Sequence, residues 1–306
     1  MESVVERIKR YKQEYYKTYN YDKKSSLFNL ILLLEQSIGY RDKEFFEAHT
    51  NDKRTKEIRD NKHQRMADRL PGYMEKNNDL IENLIEPYKA DYVISEPYQE
   101  QHIDTNTCLK IVGDFLLSVS PYLYNVFCEL YNSNRILCAQ GIGGNEISVK
   151  TRDSIHVFID SLCKVSDMAT LAHEMGHAYK DYLIPTYHKA FDIEDSLHSE
   201  ISSKTLELMF IMYLINNRIY YDDAIKCFNN YENFLYEKTN KYSKEKVFNA
   251  VCAKNLSYLL GASIANIYVS EPNMSYDDFI RKIYFSNIRT VLKYYNKNNK
   301  VKKFHF

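Results

Sequence analysis

His173, Glu174 and His177 are the side chains of this 306-residue chain whose types and spacing most directly suggest chemistry. They lie in Thr170-Leu-Ala-His173-Glu174-Met-Gly-His177-Ala-Tyr179, which has the HExxH pattern. A helix rises ~1.5 Å and turns ~100° per residue, so positions four apart stack on one face about 6 Å apart. Two imidazoles placed that way converge on one tetrahedral zinc ion at Zn–N distances of about 2.0–2.1 Å. Glu174 sits beside His173 around the helix, near enough to take a proton from a water at the metal without being a ligand.

The flanking residues predict the helix that this geometry needs. Met168, Leu171, Ala172, Met175, Ala178, Tyr179, Tyr182 and Leu183 recur at helical intervals. Ser166 and Asp167 are candidate N-caps, and Pro185 marks the stop. Gly176 inside the helix costs roughly 1 kcal/mol against alanine, a choice explained if another segment or a ligand crowds that face. HExxH alone arises by chance in roughly one chain of this length in a hundred, so a third ligand decides its meaning.

Residues 194–207 open a second helical pattern, with Leu197, Ile201, Leu208, Met212 and Ile215 as its apolar stripe. Glu200, Ser203 and Glu207 share another face. Glu200 follows His177 by 23 residues, enough chain for the first helix to end and a second to return antiparallel. Two histidines, a glutamate and a water form a catalytic zinc arrangement. Glu200 is the preferred third ligand, with Glu194, Asp195 and His198 as competitors. Glu207 is placed to accept a hydrogen bond from the second nitrogen of a ligating imidazole. The bland alternative puts both glutamates on a solvated helix face.

His-Glu-Met-Gly-His-Ala followed by Glu-x-x-Ser-x-x-x-Glu resembles the thimet oligopeptidase and oligoendopeptidase F family of zinc peptidases. The resemblance spans about residues 95–285 and is strongest over 165–207. Asp167-Met-Ala-Thr170-Leu-Ala-His173 is similar to the family's approach to its zinc helix, and Asp104–Asp114 to the helix opening its catalytic region. Ile142-Gly143-Gly144 falls where the family has a glycine-bearing turn and strand, and Ser154–Asp160 is similar to its following strand. The resemblance implies a helical zincin-type fold, Glu200 as the third ligand of one zinc ion, and hydrolysis of short peptides. Ser257-Tyr258-Leu-Leu-Gly261 is similar to the end of the segment that places tyrosines against the scissile carbonyl, so Tyr258 would stabilise the oxyanion.

This chain departs from the family in two ways. Relatives are much longer, so most of their N-terminal half is missing or reduced. No histidine lies between His198 and His305, and Lys254 and Leu256 stand where relatives often carry tyrosines. These departures leave room for a catalytically impaired pseudopeptidase that binds peptides or proteins. A helical scaffold with an accidental HExxH is the remaining rival.

The elements that position these residues read as mainly α. The chain has only 8 Gly and 6 Pro, and helical periodicity runs almost throughout. Three regions are expected: N-terminal helices over 1–94, a catalytic region over 95–290 and a basic, solvated tail over 291–306. Leu27–Leu34 reads as a buried helix, too short for the ~20 residues of a membrane span. Asn51–Arg69 reads as a solvated helix punctuated by Pro71-Gly72, with a boundary at Glu96-Pro97. The convincing β segment, Ile136–Asp160, predicts a small hairpin or sheet, with Gly141, Gly143 and Gly144 as a turn between two strands. Its edge suits backbone pairing with an extended peptide at Gly143 and Gly144; no Gly-Lys-Ser/Thr follows to make a phosphate loop. His156, alternating with Val157 and Phe158, faces either a cleft or solvent.

Zero net charge gives no global case for nucleic acid or anionic membranes as partners. Six cysteines without CxxC pairs read as free thiols of a reducing compartment. No apolar leader follows Met1, so a cytoplasmic location is expected.

Overall fold

A computed structural model describes residues 2–88, 99–141, 143–147, 151–183, 197–244, 250–270 and 274–298. Helix α1 (Val4–Lys17) begins at a reciprocal capping box: Ser3 Oγ accepts from Glu6 N at 3.2 Å, and Ser3 N donates to Glu6 Oε2 at 2.7 Å. Asn20 and Asp42 cap α2 (Tyr21–Ser37) and α3 (Lys43–Thr50) by accepting from Lys23 N and Phe45 N. These helices bury Tyr11, Leu27, Leu30, Ile31, Leu34 and Phe45 in a small core that also takes in Phe158. Leu27–Leu34 is thus buried helix, as its composition indicated.

Helix α4 (Lys53–Ile85) runs through Pro71-Gly72, where the sequence suggested a break. Both residues are exposed, so the carbonyl that loses its partner at the proline can be hydrated. Met74, Ile81, Leu84 and Ile85 join the main core. The expected boundary at Glu96-Pro97 lies outside the described residues.

Helices α5 (Thr105–Val119) and α6 (Pro121–Asn132) lead to strands β1 (Ile136–Cys138), β2 (Asn145–Ile147) and β3 (His156–Ile159). The strand order is β1-β3-β2. Strand β1 runs parallel to β3, with Ile136 opposite Val157, and β2 runs antiparallel to it, with Asn145 opposite Phe158. The glycine turn therefore does not close a hairpin. Fully buried β3 inserts between the two strands that the turn connects, because it has apolar material to cover on both faces. His156 points neither into a cleft nor into solvent. It is fully buried, with Nδ1 donating to Ser154 O at 2.9 Å and Nε2 facing Arg7 Nη1 at 3.3 Å.

The rest is helical: α7 (Val165–Leu183), α8 (Ile201–Asn216), α9 (Tyr221–Lys244), α10 (Ala250–Ser270), α11 (Tyr276–Phe285) and α12 (Ile288–Asn298). Helices α7 and α10 both pack closely on α8, which is buried over most of its first turns. Helix α12 crosses position 290, where a solvated tail was expected to begin, and Val291, Leu292 and Tyr295 are buried. The chain is mainly helical with a small three-stranded sheet. No described helix is long and apolar enough to cross a membrane.

Candidate metal centre

The centre is built where α7 meets the start of α8. One face of α7 buries Met168, Leu171, Ala172, Met175, Ala178 and Tyr179 completely. His173 and His177 project from another face, their side chains 13% and 16% exposed. Glu200 immediately precedes α8 and is buried.

Two glycines let this junction close. A Cβ on Gly176 would stand 2.6 Å from Ser203 Cα and 2.8 Å from Ser202 O, so the crowding expected at this position comes from the first turn of α8. A Cβ on Gly261 of α10 would stand 2.7 Å from Glu200 O. Two tyrosines of α11 hold the same turn. Tyr284 donates to His198 O at 2.9 Å and meets Ser202 Oγ at 3.0 Å, while Tyr276 donates to Ser202 O at 3.1 Å. Ser203 Oγ lies 3.1 Å from Glu200 Oε2, fixing the carboxylate's direction.

The ligand atoms of His173, His177 and Glu200 all lie within 4.8 Å of one another. Nε2 of each histidine is 3.4 Å from Glu200 Oε2. Ligand atoms about 2.0–2.1 Å from a tetrahedral ion stand about 3.3–3.4 Å apart, so these separations fit a zinc-sized cation. His173 Nδ1 donates to Glu207 Oε2 at 2.8 Å, which orients the ring with Nε2 toward Glu200. These three residues are the group that could hold a metal ion among the described residues. Of the competing ligands, Glu194 and Asp195 lie outside the described residues. His198 packs edge-on against Tyr284, ring centroids 5.9 Å apart, and is not in the group.

Electrostatics sharpen the arrangement. Burial disfavours the His173 imidazolium, yet hydrogen bonds to Glu200 and Glu207 outweigh it and lift its pKa to about 9. Burial likewise works against the Glu200 carboxylate, but both histidines hold its pKa far below the usual range. Glu207 is held at about 2, burial again being overcome, here by Lys204 and His173. The cluster thus keeps its carboxylates ionised and confronts them with a His173 imidazolium that a divalent cation must deprotonate to bind.

The other expected site residues surround this group. Gly144 lies against Glu174: a Cβ there would collide with Glu174 Oε1 and come within 2.6 Å of Thr170 Cγ2. Gly143 has φ +65° and donates its N–H to Asp160 Oδ1 at 2.8 Å, so it shapes the approach to β2. Tyr258 on α10 is half-buried. Burial, then the charges of Glu200, Glu174 and Glu207, push its pKa upward, so its hydroxyl keeps its proton.

Sequence reasoning missed Lys204, which is buried and bonds Glu207 at 2.7 Å. Its spacing of three from Glu207 on one helix face was the available signal. It also missed Tyr276, Tyr284 and Gly261, whose roles depend on contacts with α8 that no local pattern encodes. No family model matches the chain, and no curated protein or solved structure matches it.

Proposed function

We propose that the chain is a zinc-dependent peptide hydrolase with a zincin-type catalytic region, in line with its resemblance to the thimet oligopeptidase and oligoendopeptidase F family. The observation that carries this reading is the His173–His177–Glu200 triangle, whose two edges to Glu200 measure 3.4 Å and suit a tetrahedral zinc ion. A bound zinc ion supplies Lewis-acid polarisation and acidifies water. Glu174, one residue along α7 from His173, takes the proton of the attacking water and returns it to the leaving amine. Gly144 brings β2 directly over Glu174, so an extended peptide lying along this sheet edge would present its carbonyl to the centre. Tyr258 keeps its proton and donates a hydrogen bond to the oxyanion. The substrates are short peptides, with no role for nucleic acid or membrane. Cys108, Cys128, Cys138, Cys163 and Cys227 are free thiols, which suits the cytoplasm.

One observation favours a second reading, a pseudopeptidase that binds peptides or proteins. Leu256 is fully buried and offers no donor where relatives of the resembled family often place a tyrosine. Elemental analysis with and without chelator, combined with cleavage of a quenched-peptide library, separates the two. One zinc per chain with chelator-sensitive cleavage supports the hydrolase; one zinc without cleavage supports the pseudopeptidase. Glu174→Gln should keep the metal and lose nearly all turnover, and full activity in that variant would remove Glu174 from the mechanism. His177→Ala should lose the metal; unchanged zinc content would place the ion elsewhere.

A further inference from the structure

Among the described residues, two ammonium groups beside the centre make no ion pair. Phe234 on α9 and Tyr258 on α10 stand edge to face, ring centroids 5.2 Å apart, and both are half-buried. Lys238 Nζ lies 4.9 Å from the Phe234 centroid and 5.3 Å from that of Tyr258. Lys254 Nζ lies 5.8 Å from the Tyr258 centroid. Lys204 Nζ is 5.5 Å from the same ring, but its charge is matched by Glu207. Among the described residues no carboxylate stands at ion-pair distance from Lys238 or Lys254. Burial, then the ammonium groups of Lys241 and Lys254, pull the pKa of Lys238 below its usual value, with Glu237 only partly opposing them.

Tyr258 is close to both groups of charges. It feels the carboxylates of Glu200, Glu174 and Glu207, and its ring carries Lys238 and Lys254. Lys254 stands where the resembled family often has a tyrosine, so this charge is a departure from that family. An extended peptide advances about 3.3 Å per residue, so the lysines are within a few residues' reach of a bond cut at the centre.

Resting on the peptide-hydrolase reading, we propose that Lys238 and Lys254 form a subsite for a substrate carboxylate, with Phe234 and Tyr258 as its apolar wall. The carboxylate is either a free C-terminus a few residues beyond the scissile bond or an acidic side chain. Partly desolvated ammonium–carboxylate pairing then sets where the peptide is cut.

The test uses zinc-loaded full-length protein carrying Glu174→Gln, which binds without turnover, and fluorescence anisotropy of labelled peptides. Three matched peptides are compared: one with a free C-terminus and an internal Glu, one amidated, and one with Glu replaced by Gln. Loss of the recognised carboxylate should weaken binding about tenfold, and the identity of the weaker peptide names its source. Adding Lys238→Met and Lys254→Met together should erase the difference while zinc content stays at one per chain. If the double variant loses zinc or fails to fold, each single variant is read instead, along with loss of the difference at high ionic strength. Equal binding of all three peptides, no binding of any, or a difference that survives the lysine substitutions would overturn the subsite. Cleavage by the unsubstituted enzyme that ignores the carboxylate refutes the subsite alone. Carboxylate-selective binding without any cleavage refutes the hydrolase reading and keeps the subsite.

Discussion

Replacing Gly176 with alanine pits two effects of opposite sign against each other. In an unobstructed helix the change gains roughly 1 kcal/mol from propensity. Here the new methyl would sit 2.6 Å from Ser203 Cα and 2.8 Å from Ser202 O. Carbon atoms in contact rest about 3.5–4.0 Å apart, so α7 and α8 must separate by roughly 1 Å. Both obstructing atoms belong to backbone, so no rotamer change relieves the clash. Overpacking of this kind costs typically 1–3 kcal/mol, and backbone obstruction places it at the upper end. The net expectation is a loss of about 1–2 kcal/mol, or roughly 2–3 °C in Tm for a chain of this size. On the proposed zinc reading, metal binding suffers more. A shift of about 1 Å exceeds the ±0.2 Å that zinc coordination tolerates, so zinc affinity should fall more than tenfold. Thermal unfolding followed by circular dichroism, with chelator present, reads the first effect; competition with a chromophoric chelator reads the second. Gly72, exposed in α4 with nothing within 4 Å of its would-be Cβ, is the control, and alanine there should stabilise by up to about 1 kcal/mol. If Gly176→Ala is as stable as the parent and binds zinc equally well, the close approach of α7 and α8 is wrong and the argument fails with it.

Glu207→Gln should lower zinc affinity about 10–100-fold, because His173 loses the carboxylate that orients its ring; unchanged affinity in a chelator competition would limit Glu207 to a structural role. Tyr258→Phe should cut kcat about 10²-fold with zinc content unchanged, and equal turnover would remove Tyr258 from the oxyanion. His156 is held neutral, its pKa lowered to about 3 by burial, with the nearby charge of Arg7 also working against protonation. Its contribution to stability is therefore complete above the unfolded value of about 6.5 and drains away as pH falls toward 3, at roughly 1.4 kcal/mol per pH unit. Urea denaturation at pH 7 and pH 5 should show a shallower loss in His156→Leu than in the parent, and parallel losses would mean that His156 is solvated.

What the sequence made legible was local. His173 and His177 share a face through i, i+4 spacing with Glu174 beside them, and Glu200 and Glu207 share one through i, i+7, so helical periodicity placed them before any tertiary contact was known. The strand order was not legible, because glycines at 141, 143 and 144 mark a turn without saying which strands pair across it. Pairing of β3 between β1 and β2 is decided by burial on both faces of β3. His156 was misread for a related reason: its partner Arg7 is 149 positions away. At Pro71, tertiary packing of the following turns against the main core overrode a local breaker signal.

The glycines argue against an accidental motif. Of the chain's 8 glycines, Gly144, Gly176 and Gly261 are those whose Cβ would come closer than 3.0 Å to a neighbour. Their obstructing neighbours are Glu174 and Thr170, Ser202 and Ser203, and Glu200. Three segments distant in sequence (the start of β2, α7 and α10) thus give up a side chain where they meet the candidate centre. A scaffold with a chance HExxH has no reason to concentrate its closest backbone approaches on Glu174 and Glu200. Glycine within a helix forfeits roughly 1 kcal/mol, and Gly176 and Gly261 both forfeit it. The gain that offsets this cost is geometric: α8 is pressed close enough to α7 for one Glu200 oxygen to stand 3.4 Å from two imidazole nitrogens at once. That closeness offers a cation three converging donors, two of them on half-buried imidazoles. A metal ion that binds the folded chain and not the unfolded one returns that cost as stability, by RT ln(1 + [L]/Kd). At a hundredfold excess over Kd the return is about 2.7 kcal/mol, more than the two helical glycines forfeit together.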